Sequence, residues 1–103
     1  MWIVLNDAFF SVVVHRERPS MLMVRSRSSG DLEKYFPHAE VTETPNADYR
    51  YRAVIERAAV GAVLSQVSAN LDYDNFKNSI PKSQGFRKGP YMDVWRALYR
   101  LQS

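Results

Sequence analysis

The chain has 103 residues, 14 Lys+Arg against 11 Asp+Glu for a formal net charge of +3, and no Cys. A chain of this length folds as one domain, residues 1–103, and buries roughly two-thirds of the surface its unfolded form exposes, so it needs no covalent or metal staple. The absence of Cys excludes a disulfide scaffold, a Cys-based zinc site and a thiol nucleophile, and it fits a reducing compartment.

Residues 2–5 form a short β-branched run that ends at the turn signal Asn6-Asp7. Residues 9–15, rich in Val and Phe, and residues 21–27 are two further extended runs separated by a loop containing Pro19. Short connections join antiparallel neighbours, so the three predict an antiparallel meander. Ser28-Ser29-Gly30 then opens a short helix over 31–36 that Pro37 stops. Residues 41–44 and 49–55 flank Pro45-Asn46-Ala47-Asp48, whose residues suit a turn, and form a second hairpin. From Arg57 the period changes: Val60, Val63, Leu64, Val67 and Leu71 fall at helical spacing among Ala58, Ala59 and Ala62. A turn of helix within 72–80 stops at Pro81, and 82–89, with Gly85, Gly89 and three basic residues, reads as a loop. Pro90 suits a first helical position, ahead of the stripe Tyr91, Val94, Trp95, Leu98 and Leu101.

The order β-β-β-α-β-β-α-α, with a further short turn of helix, predicts an α+β fold: an antiparallel sheet of about five strands with helices on one face. The expected core is Trp2, Val12, Val24, Ile55, Leu64, Trp95 and Leu98. The start, Met1 to Leu5, is apolar but short and lacks a basic residue, so it does not read as a signal peptide. No stretch approaches the ~20 apolar residues of a membrane span. The expectation is a soluble, cytoplasmic protein without a membrane partner.

Met1-Trp2-Ile3, Ala8-Phe9-Phe10-Ser11-Val12-Val13, Gly30-Asp31-Leu32-Glu33, Asp48-Tyr49-Arg50-Tyr51-Arg52-Ala53 and Asp72-Tyr73-Asp74-Asn75-Phe76-Lys77-Asn78 stand in a familiar arrangement. Across nearly its whole length the chain resembles a family of small uncharacterised bacterial proteins of about this size, which has no established activity. The resemblance implies a single intact domain and nothing about mechanism.

The chain carries no Walker-type phosphate loop, dinucleotide fingerprint, His-Glu-X-X-His or calcium loop. With two His and no Cys, a zinc shell would need carboxylates, and neither a metal nor a cofactor is predicted. The distribution of charge is more informative. Residues 31–48 carry Asp31, Glu33, Glu40, Glu43 and Asp48 against Lys34 alone, and ten of the fourteen basic residues are Arg. Strand alternation puts Arg25 and Arg27 on one face with Met21 and Met23, opposite Leu22, Val24 and Ser26. It likewise separates Arg50 and Arg52 from Tyr49, Tyr51, Ala53 and Ile55. If helices cover one face only, the four Arg meet on the open one, a surface suited to phosphate or carboxylate. The structural alternative is a cross-strand ion pair: a tight turn at 45–48 sets Glu43 opposite Arg50 and Val41 opposite Arg52.

Three further features extend or rival that surface. Ser28 and Ser29 at a helix start offer amides to an anion, although capping alone explains them. Arg87 and Lys88, beside Phe86 in the 82–89 loop, can touch a nucleic-acid backbone, although such loops are usually just solvated. His15 and His38 are possible general bases, but neither has a nucleophile or an orienting acid visible in the sequence. The sequence therefore favours a non-enzymatic binding module for an anionic ligand, nucleic acid among the candidates, using Arg25, Arg27, Ser28, Ser29, Arg50, Arg52, Arg87 and Lys88. The rivals are a protein-interaction or inhibitor module, a homodimer in its simplest form, working through Tyr and Arg, and a small hydrolase or transferase using His15.

Overall fold

A computed structural model describes residues 1–102. Alternating side chains build a five-stranded antiparallel sheet from β1 (Trp2–Val4), β2 (Phe9–Val14), β3 (Met21–Ser26), β4 (Thr42–Glu43) and β5 (Tyr51–Glu56). The spatial order is β1-β2-β3-β5-β4. The helices are α1 (Asp31–Tyr35), α2 (Arg57–Ala69), α3 (Phe76–Ser79) and α4 (Lys88–Tyr99). The architecture is the α+β class that the pattern predicts. Among the described residues, no helix is long and apolar enough to cross a membrane.

One face of the sheet holds the core. Val12 pairs with Val24 and Val24 with Ala53, so three buried apolar residues form a row across the central strands. Helix α1 covers this row with Leu32 and with Phe36, whose ring meets Phe10 edge-on at 5.8 Å. Helix α2 adds Val60, with Val63 and Leu64 partly buried beside it. The sharp entry into α1 rests on Gly30, whose φ of 89° is left-handed, a conformation only Gly adopts cheaply. Both sheet edges are short, and β4 exposes only Thr42 and Glu43, which limits edge-to-edge pairing.

Val12, Val24 and Ile55 lie in the core as predicted, and Leu64 borders it. Trp2, Trp95 and Leu98 do not: all three are exposed. For Trp2 the reason is parity. Trp2 pairs with Ser11 and Ile3 with Phe10, so Ile3 faces the core and Trp2 the opposite side. For Trp95 and Leu98 the reason is reach. The close backbone neighbours of α4 are the 3-10 segments Lys82–Arg87 and Arg100–Gln102 that flank it. Its first turn is tethered, with the Tyr91 hydroxyl donating to Ala8 O at 3.1 Å, but its second half has nothing beneath it. The expected 82–89 loop is helical instead, and α4 begins at Lys88 rather than Pro90.

The tether is a buried ion pair. Arg87 Nη2 meets Asp31 Oδ1 at 2.5 Å and Nη1 meets Oδ2 at 3.0 Å, with the two side chains only 5% and 1% exposed. Gln84 Oε1 accepts from Arg87 Nε at 2.7 Å, and Asp31 Oδ2 accepts from the Phe9 amide at 3.1 Å. Burial opposes the charge on Arg87, but Asp31 and, after it, Tyr91 together more than offset it, and the guanidinium pKa is pushed up. Bidentate geometry with the remaining valences satisfied is the condition under which such a pair is tolerated inside a protein. Asp31→Ala, which strands the buried guanidinium, is expected to destabilise the fold by about 3–5 kcal/mol, and Asp31→Leu combined with Arg87→Met to recover most of that. Urea unfolding of the two variants and the parent checks both expectations.

Candidate anion-binding face

Helices α1 and α2 occupy the core face, so the other face of the central strands is open. There the register forms a second transverse row, one residue out of step with the buried one. Trp2 pairs with Ser11, Ser11 with Arg25, Arg25 with Arg52, and Arg52 with Thr42. Arg25 and Arg52 therefore stand directly opposite each other, an arrangement that like charges disfavour unless something compensates.

The compensation comes from the segment just before β5. Tyr49 is only 5% exposed, and the guanidiniums of Arg25 and Arg27 lie 4.5 and 4.4 Å from its ring centroid. Arg52 donates from Nε to Tyr49 O at 3.2 Å and from Nη2 to Asp48 Oδ1 at 3.1 Å. Arg27 Nε donates to Asp48 O at 3.0 Å, and Arg25 Nη2 to Ser11 Oγ at 2.7 Å. Arg25 Nε is buried with no acceptor among the described residues. Arg25 and Arg27 thus share one aromatic ring, while Arg52 takes the backbone carbonyl of the same tyrosine and the Asp48 carboxylate. Arg25 and Arg27 have no carboxylate partner among the described residues.

Arg50 does not join them. Its Nε donates to Glu43 Oε1 at 2.8 Å, and both side chains are about half exposed. This is the anticipated ion pair, but the predicted register is one residue out. Glu43 stands opposite Tyr51, and Thr42, not Val41, stands opposite Arg52. The turn closes with Thr44 N donating to Arg50 O at 2.6 Å, so Tyr49 lies in the turn, where strand alternation no longer governs its direction. Tyr49 was expected on the core-side face with Tyr51. It is buried instead beneath the arginines.

The other expected contributors are dispersed. Arg87 is sequestered by Asp31 and has no free guanidinium to offer. Lys88 is exposed on the first turn of α4. Neither Ser28 nor Ser29 caps α1 through its side chain; the Ser28 carbonyl accepts from the Asp31 amide at 3.4 Å. His15 does reach the Arg row, in a depression of 440 Å³ that it lines with Arg16, Glu17, Arg25 and Arg52. Its Nδ1 accepts from the Glu17 amide at 3.3 Å, and none of the residues lining the depression carries a hydroxyl nucleophile. A second depression, of 550 Å³, continues past Arg52 to Arg18, with Glu40 on its wall. Among the described residues, no group of three or more His, Asp or Glu is placed to hold a metal ion.

No family model, curated protein or solved structure matches the chain. The row presents guanidiniums with few acidic partners, an arrangement that can attract negative charge. Arg25 and Arg27 are held in place by stacking on Tyr49 and by oxygen acceptors on Ser11 and Asp48, and only Arg52 is paired with a carboxylate. The residues that sequence reasoning missed are Ser11, Asp48 and Tyr49, the three that organise the arginines. Asp48-Tyr49 adjoins Arg50 and Arg52 in sequence, which is the one signal that pointed toward them. Tyr49→Leu, which removes the ring but keeps apolar bulk, is expected to lower stability by about 1–2 kcal/mol, with Tyr49→Phe nearly neutral. Thermal or urea unfolding of the two variants is the check.

Proposed function

We propose that the protein is a non-enzymatic binding module of the cytoplasm that takes an anionic ligand, a phosphate-bearing polymer first among the candidates, on the open face of its sheet. The observation that carries this reading is the placement of Arg25 opposite Arg52, with Arg27 and Arg25 stacked on Tyr49 and Asp48 the one carboxylate bonded to any of the three among the described residues. Two adjacent depressions widen the basic surface to Arg16 and Arg18 against Glu17 and Glu40. An anion laid across the row relieves the repulsion between the paired cations, so binding and sheet electrostatics favour the same state.

With inorganic polyphosphate as the probe, binding is expected at low salt, weakening in a log–log plot by roughly 0.7–0.9 per phosphate engaged. Arg25→Ala and Arg52→Ala are each expected to weaken binding and to lower that slope by about one phosphate contact. Arg50→Ala, whose side chain is already paired with Glu43, is expected to change it little. Titration calorimetry across a salt series measures all three. Absence of binding at low salt, or binding indifferent to salt, refutes the reading.

A second reading, self-association, has its own observation. Trp95, Leu98 and Tyr99 on the second half of α4, with Leu101 in the 3-10 segment that follows, form an exposed apolar patch in which the Trp95 and Tyr99 rings meet at a tilt, 5.5 Å apart. Patches of this kind on a small protein mark interaction surfaces. Light scattering is expected to give twice the monomer mass for the parent and the monomer mass for Leu98→Glu. A parent that stays monomeric at high concentration removes this reading.

A further inference from the structure

The Arg row ends in an apolar groove, and the pair makes a composite site. The groove has a volume of 320 Å³ and runs between the outer side of β1–β2 and the start of α4. Trp2, Phe9, Phe86, Tyr91 and Val94 line it, and Arg27 forms part of its wall. Trp2 and Phe86 are 66% and 62% exposed, an unusual amount of aromatic surface to leave in water. Trp2 is braced edge-on against Phe9 at 6.1 Å, and Phe86 carries the Arg87 guanidinium 4.8 Å from its ring centroid. Both rings are therefore held in position.

Two observations join groove and row into one track. Trp2 is the first member of the transverse line Trp2, Ser11, Arg25, Arg52, so at a strand spacing of ~4.8 Å it stands roughly 10 Å from Arg25. Arg27 lines the groove and also shares the Tyr49 ring with Arg25. The carboxylate in the groove wall, Asp31, has both oxygens committed to Arg87 and the Phe9 amide, so it does not repel an anion there. A ligand that fits must carry a flat apolar part for the aromatic end and a succession of negative charges for the arginines.

We infer that the ligand of this face is a single-stranded nucleic acid, with a base stacked in the Trp2–Phe86 groove and its phosphates laid along Arg27, Arg25 and Arg52. This rests on the anion-binding reading above and makes it more specific. Aromatic platforms beside a cationic path are the general solution for holding single strands, because every base offers a π-face and every linkage a charge. A duplex keeps its bases stacked internally and cannot fill the groove. An apolar carboxylate fills the groove but leaves Arg25 and Arg52 unused.

The test uses the whole chain carrying Trp95→Phe, which leaves Trp2 as the sole indole. The probes are oligodeoxythymidylate of about 10 nucleotides, within the span that such platforms cover, an abasic phosphodiester of equal length, a duplex of equal length, inorganic polyphosphate and dodecanoate. The oligonucleotide is expected to quench Trp2 fluorescence and to bind more tightly than the abasic strand or the duplex. By titration calorimetry, since the first of them has no indole, Trp2→Ala and Phe86→Ala are each expected to weaken oligonucleotide binding about 5- to 150-fold, the range for one base–aromatic stack. Trp2→Phe is expected to retain most of the affinity, and polyphosphate binding is expected to be unchanged in all three variants. Equal affinity for the oligonucleotide and the abasic strand, or unaltered binding by Trp2→Ala, overturns the base-stacking inference while leaving the anion site intact. Quenching by dodecanoate but not by the oligonucleotide overturns it in favour of an apolar acid. Failure of both the oligonucleotide and polyphosphate to bind at low salt overturns the anion reading itself.

Discussion

The Asp31–Arg87 ion pair is the constraint on which the arrangement of this protein turns. The sheet with α1 and α2 has its own apolar core, but the chain after α2 contributes little to it beyond the buried Ile80. The last third is attached by a bidentate contact between the first residue of α1 and the residue before α4, supported by Gln84, the Phe9 amide and the Tyr91 hydroxyl, and by the Asn6 amide donating to Ser79. Such a contact is directional where hydrophobic contact is not, so it sets where α4 begins and how it leaves the body. The same contact creates the groove between α4 and β1–β2 and leaves the far half of α4 without support.

The sheet then presents two unlike rows one residue apart. Val12, Val24 and Ala53 point to the helices. Ser11, Arg25 and Arg52 point away. Alternation makes the second row a necessary consequence of the first, because a strand that buries its even positions must display its odd ones. Displaying two cations opposite each other has an electrostatic cost, and the Asp48-Tyr49 turn lowers it by stacking and by carbonyl hydrogen bonds more than by neutralisation. Arg25 and Arg27 therefore keep no carboxylate partner among the described residues, whereas Arg50 is paired with Glu43.

The two kinds of information met at particular residues. The hydrophobic period identified every strand and the long helix α2, and it placed Val24 and Ile55 in the core, because those signals lie within a few residues of each other. It misassigned Trp2, since nothing local reveals which parity of a three-residue strand faces inward. It placed Glu43 beside Arg50 correctly but with the register one residue out, because Asp48 and Tyr49 lengthen the turn to reach the arginines. The sequence offers Arg87 as an anion contact on an exposed loop, because the carboxylate that buries it, Asp31, lies 56 positions away.

The sequence by itself determined the α+β class, the alternation that sends Arg25 and Arg52 to the face opposite Val24 and Ala53, and the lack of cysteine chemistry. These follow from composition and from short-range periodicity, which the backbone geometry of strands and helices enforces wherever the chain lies. Only the tertiary structure decided which arginines remain available. Arg87 is consumed by Asp31, Arg50 by Glu43, and Arg25 and Arg27 are held on Tyr49. Pairing between charges depends on distances across strands and helices that no local pattern encodes. The +3 charge of the chain thus becomes a directed surface only once the fold has chosen which of its cations to bury.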